Sequence, residues 1–219
     1  MKKRRALLLI PVVLAVATAV LCLDFNIYKK QSRTISREPG EIVFSITTFD
    51  GKTESEPFIQ CLGHAWVSVD NQSDHSVYIK GYEVKSGELL AISAWGVSKH
   101  WGVFFNLEPT FIRQYGRYVG RRSLSVNIRE SQLKTVEDYI DRHNTWKFIE
   151  NCSYWSIHLW NEVVGDDYTL KTPMLVYTPT RVQKAMSEFD CVETDMDFSR
   201  AAGIFFCRDG YGTELKLCS

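Results

Sequence analysis

Cys152 and His64 are the residues of this 219-residue chain whose types and settings point to chemistry. Cys152 follows Asn151 and opens a run, Cys152 to Val164, that stops at Gly165. That pattern predicts a helix with Asn151 as its N-cap. A thiol in the first helical turn faces orphan backbone amides and the positive end of the macrodipole, which favour the thiolate. A thiolate nucleophile needs a basic or cationic partner, and the chain offers His64, His75, His100, His143 and His158. His75 falls in a turn, His143 ends a helix, and His158 lies nearly two turns down the Cys152 helix itself. His64 follows Gly63 in a strand-like segment and is the geometrically favoured partner.

The elements that must bring the two together change character along the chain. Residues 41–47 alternate β-branched and aromatic side chains, and Asp50-Gly51 supplies a turn. Residues 63–69 repeat the pattern, 70–74 break it, and 77–84 resume it, which predicts an antiparallel hairpin. Leu89 to Trp95 and Gly102 to Leu107 read as two more strands. Beyond Ser131, which is placed to cap, Leu133, Val136, Tyr139 and Ile140 fall at helical spacing and Asn144 ends the helix. A further helix begins at Thr178-Pro179, and Ile204-Phe205-Phe206 forms a late strand. The expectation is an α+β fold, an antiparallel sheet packed against a few helices.

Gly63-His64-Ala65-Trp66-Val67, followed much later by Asn151-Cys152-Ser153-Tyr154-Trp155, resembles the circularly permuted NlpC/P60 branch of papain-like cysteine hydrolases. Histidine before cysteine is the mark of the permutation, and the resemblance spans residues 44–187. It implies that Cys152 attacks a carbonyl carbon, that His64 forms the ion pair and protonates the leaving amine, and that the Cys152 N–H helps hold the oxyanion. It also implies a third group from a later strand that orients the imidazole. Asn106, Glu108, Asp70 and Ser93 are candidates, with Asn106 favoured. The implied reaction is acyl transfer, usually to water, with peptide or cell-wall peptide as substrate. An acyltransferase would use the same residues.

Blander readings stand beside these. Cys152 could be a buried or disulfide-bonded thiol, and His64 a strand histidine bonded within the sheet. The domain would then be a noncatalytic surface module binding through Trp95, His100 and Trp101, aromatic and polar residues that could equally rim a substrate groove. Arg117, Arg121 and Arg122, gathered around Gly116 and Gly120, could hold a carboxylate or phosphate, but a solvated basic turn is the simpler reading. No metal is expected, since C-x-x-C, H-x-x-H and H-E-x-x-H spacings are absent. No cofactor is expected either.

The setting follows from the N-terminus. Met-Lys-Lys-Arg-Arg precedes an uncharged apolar run from residue 6 to residue 23, which reads as a signal peptide or signal anchor. Ala15-Val16-Ala17 offers a cleavage site. Cys22 follows Leu21, where a lipid-attachment signal wants a smaller residue, so lipidation is disfavoured. Residues 1–23 are thus the export segment, 24–40 a polar tether and 41–219 a single papain-like domain held outside the cytoplasm. A formal net charge of +0 gives no field for nucleic acid. Outside the cytoplasm thiols are oxidised unless protected. One disulfide is therefore expected among Cys191, Cys207 and Cys218, with a second to Cys61, leaving Cys152 free.

Overall fold

The computed structural model describes residue 35 and residues 41–51, 63–97, 100–172, 177–203, 205–208 and 211–214. All of them belong to one compact unit, 32–219. The export segment, Cys61, Cys218 and the side chains of His100, Trp101 and Cys207 lie outside the described set. So do the readings that rest on them, the disulfides included; Cys191 carries a free thiol. No helix among the described residues is long and apolar enough to cross a membrane.

The fold is α+β. Strands β1 (Ile42–Phe49), β2 (His64–Asn71), β5 (Leu89–Val97), β6 (His100–Phe105), β7 (Arg122–Ile128), β8 (Glu193–Thr194), β9 (Phe205–Arg208) and β10 (Tyr211–Glu214) form one sheet. Its order is β10-β9-β6-β5-β2-β1-β7-β8, with every paired neighbour antiparallel. Four helices accompany it: α1 (Leu107–Tyr115), α2 (Leu133–Arg142), α3 (Cys152–Val164) and α4 (Pro179–Met186).

Period-two alternation divides the sheet into two unlike faces. Phe44, Ile46, Val67, Val69, Leu90, Ile92, Leu124 and Val126 share one face and are buried. Trp160 of α3 stacks on Phe44 there, ring centroids 5.7 Å apart. The opposite face carries Ser45, Thr47, Ser123 and Ser125, buried as well. Their hydroxyls pair across strands, Ser45 to Ser125 at 2.7 Å and Thr47 with Ser123 at 2.9 Å. Buried hydroxyls are tolerable because they satisfy one another. Towards the site this face turns aromatic, with Phe49, Trp66 and Tyr118 in one cluster with Phe198.

Several expectations are corrected. Residues 77–84 are not one strand pairing with 63–69. Lys80-Gly81, both at positive φ, turn them into a separate hairpin of β3 (Val77–Ile79) and β4 (Tyr82–Val84). The residues 102–107 do not all continue the sheet: the strand ends at Phe105 and α1 begins at Leu107. Ser131 does not cap; a 3-10 turn, Glu130–Gln132, precedes α2, and Gln132 accepts from the Arg129 amide at 2.9 Å. The Asn151 cap, the Gly165 stop and the Thr178-Pro179 helix start are as read.

Gly63 sets how the chain enters β2. Its φ is +59°, and a Cβ there would stand 2.5 Å from the Phe49 carbonyl oxygen and 3.0 Å from Pro179. Gly63→Ala should lose about 2–3 kcal/mol, since the left-handed conformation and a clash with backbone add. Urea unfolding measures it, and an unchanged midpoint would contradict the strained entry.

Candidate active site

His64 is the first residue of β2 and pairs with Phe49, the last of β1. The imidazole therefore sits at the end of the sheet, where the N-terminus of α3 also arrives. Asn151 builds that arrival. Its Oδ1 accepts from the amides of Ser153 at 3.0 Å and Tyr154 at 3.1 Å, while its Nδ2 donates to the Tyr177 carbonyl at 2.9 Å. The cap leaves the Cys152 amide outside its bonds.

The structure brings Cys152 and His64 together on the wall of one cleft, where hydrogen bonding and charge let each shift the other's ionisation. Burial opposes ionisation of the thiol, but the imidazolium, that hydrogen bond and the Ala65 amide outweigh it, and Cys152 lies below the usual thiol range. Burial also disfavours the charged imidazole. The Cys152 charge and the bonds to Cys152 and Glu108 overcome this and raise His64 to about 9.

The residue bonded to the imidazole is Glu108, not Asn106. Glu108 Oε1 lies 2.8 Å from His64 Nε2, which leaves Nδ1 for the sulfur. The same oxygen accepts from Trp95 Nε1 at 2.6 Å and from the Ser93 hydroxyl. Glu108 is fully buried, which favours its neutral form. His64, Ser93 and Trp95 together hold it below the usual carboxylate range. Asn106 serves the architecture instead. At φ 57° it turns β6 into α1, and it clasps Ala91 through two bonds of 2.8 Å, Ala91 N–H to Oδ1 and its own N–H to the Ala91 carbonyl. Ser93 touches Glu108 rather than the ring, and Asp70 is held by Arg200 at 2.6 and 2.7 Å, away from the site.

Aromatic rings surround the imidazole: Trp95 at 4.3 Å, Trp66 at 5.7 Å and Tyr118 at 6.0 Å between centroids. They exclude water and favour a cation by their quadrupoles. The pair opens into a cleft of about 540 Å³. Trp95 and Gly96 line it, together with Tyr118, Trp146 and Tyr177, which no local motif marks. Trp146 lies close on Gly96, where a Cβ would come within 2.4 Å of its ring. His158 stays off the cleft, bonded to the Tyr177 hydroxyl at 3.2 Å. His75 is far along the chain surface, between Asp74 at 2.9 Å and Glu130 at 3.0 Å. No cluster among the described residues could hold a metal ion.

A cysteine whose thiolate is favoured by a neighbouring imidazole, with a carboxylate behind the ring, has the groups that nucleophilic acyl transfer requires. Comparison with protein-family models, with curated proteins and with solved structures finds no match in any of the three.

Proposed function

We propose that this chain is a thiol hydrolase that cleaves an amide bond in peptide or cell-wall peptide outside the cytoplasm, on a permuted papain-like fold of the NlpC/P60 kind. The observation that carries the reading is a single imidazole bracketed by the Cys152 sulfur and the Glu108 carboxylate. The order of the residues, histidine on an early strand and cysteine at a later helix start, supports the family resemblance. The apolar segment of residues 6–23 supports the location.

In this mechanism the Cys152 thiolate adds to the amide carbonyl carbon and its π electrons move to oxygen. The Cys152 N–H stabilises that oxyanion. As the C–N bond breaks, His64 Nδ1 gives its proton to the departing nitrogen, leaving a thioester and a neutral imidazole. Water then attacks the thioester, its proton passes to His64, and the carboxylic acid leaves with the thiolate restored. Glu108 accepts from Nε2–H throughout and so fixes the tautomer that presents Nδ1 to sulfur.

The test is the pH dependence of Cys152 alkylation by iodoacetamide, read by mass spectrometry so that Cys152 is separated from Cys191. The expected midpoint lies well below the ~8.5 of an ordinary thiol. Amide hydrolysis of stem peptides, measured in parallel, should fall again as pH passes the region near 9 where His64 loses its proton. Labelling of Cys152 that begins only in the ordinary thiol range would overturn the proposal.

A further inference from the structure

The three arginines that the sequence gathers around Gly116 and Gly120 do not act together. Arg121 is buried, donating to the Met196 carbonyl at 3.1 and 2.5 Å and to Asp195 at 3.1 Å. Arg122 lies exposed at the start of β7. Arg117 alone lines the cleft that holds Cys152 and His64.

The backbone is arranged to put it there. Gly116, at φ 58°, closes α1 with its amide on the Ile112 carbonyl, and the Arg117 amide returns to Phe111 at 3.3 Å. Tyr118 follows at φ 61°, a left-handed conformation that costs a non-glycine residue free energy and is concentrated at functional sites. Two left-handed residues thus flank Arg117 and swing the chain off the helix end onto the cleft wall. Arg117 has no carboxylate partner among the described residues, and no aspartate or glutamate lines the cleft. Arg142, Arg200, Lys80 and Lys147 elsewhere are each paired with an acid. Much of the wall is aromatic, with Trp95, Trp146, Phe148 and Tyr177, and its other polar groups, Asn151, Ser153 and Thr178, are uncharged.

We infer that the cleft takes a substrate carrying an anionic group, carboxylate or phosphate, beside an apolar one, and that Arg117 is the residue that selects for the charge. The inference rests on the reading of Cys152 as an accessible nucleophile in that cleft. An unpaired guanidinium facing an acid-free apolar cavity gains a charge-assisted, bidentate contact from such a group. A neutral substrate leaves it half-desolvated without return.

Two alkylating agents of nearly equal size test this without knowledge of the natural substrate. Iodoacetate carries a carboxylate and iodoacetamide does not. The ratio of their rates at Cys152 should fall ~10-fold in Arg117→Gln, while the iodoacetamide rate stays unchanged. Arg117→Lys should keep part of the ratio. His64 attracts iodoacetate equally in all three proteins, so it drops out of the comparison. Protection by phenylacetate, phenyl phosphate and phenylacetamide then separates carboxylate from phosphate and both from a neutral amide. An unchanged ratio in Arg117→Gln, or equal protection by phenylacetamide, would overturn the inference.

Quenching of tryptophan fluorescence by phenylacetate keeps the two readings apart, since Trp95 and Trp146 line the cleft and binding needs no reactive thiol. Weaker quenching in Arg117→Gln supports the anion site even if Cys152 proves sluggish. Equal quenching refutes it even if Cys152 proves fast.

Discussion

Exchanging His64 for alanine should lower the rate of Cys152 alkylation at pH 6 by ~100-fold, because the thiol then returns to or above its ordinary range. In the native site the imidazolium is what overcomes burial of the sulfur. Without it, desolvation is opposed only weakly, by the Ala65 amide, the Ser153 side chain and the α3 terminus. The loss should be confined to acid and neutral pH. Above the shifted midpoint the variant should label nearly as fast as the parent, which shows that the fold and access to the sulfur survive. His64→Gln, which keeps a polar group facing the buried Glu108, guards against a trivial folding defect. Near-ultraviolet circular dichroism checks it. Labelling at pH 6 that is indifferent to both changes would separate Cys152 from His64 and remove the basis for catalysis.

Glu108→Gln should have the second-largest effect, and its signature differs. Glutamine can still accept from Ser93, Trp95 and the imidazole, so the packing holds, but the charge that helps raise His64 is gone. Hydrolysis at neutral pH should drop by ~10- to 100-fold, the range found when a ring-orienting partner is lost. The alkaline limb of the pH–rate profile should also move down from the region of about 9. The sign follows from the direction of the shift: removing a negative neighbour destabilises the imidazolium, so its proton leaves at lower pH. Asn106→Gly is the matched control. Glycine accepts the left-handed turn, and Asn106 makes no contact with the ring, so the limb should stay in place. A limb that moves in the Asn106 variant and stays in the Glu108 variant would reverse the assignment.

Cys152 and His64 were legible as a pair because both are announced locally. Asn151 before Cys152, thirteen helix-compatible residues and then Gly165 make a complete cap, body and stop. Gly63 ahead of an alternating run marks where His64 enters the sheet. Glu108 was not singled out because its place depends on where one element ends and another begins. Reading 102–107 as strand hid the helix start, although Asn106 and Pro109 in its first turn signal one. The alternation of β7, Leu124, Val126 and Ile128 against Ser123, Ser125 and Asn127, is equally plain in the residues themselves. Trp146, Tyr118 and Tyr177 reach the cleft only through long-range packing, which no spacing rule encodes.

The helix α1 begins with the carboxylate behind the imidazole and hands over at its far end to the guanidinium on the cleft wall. One short element therefore positions both groups, and a substitution that loosens its nine residues should disturb the imidazole's partner and the cleft wall together.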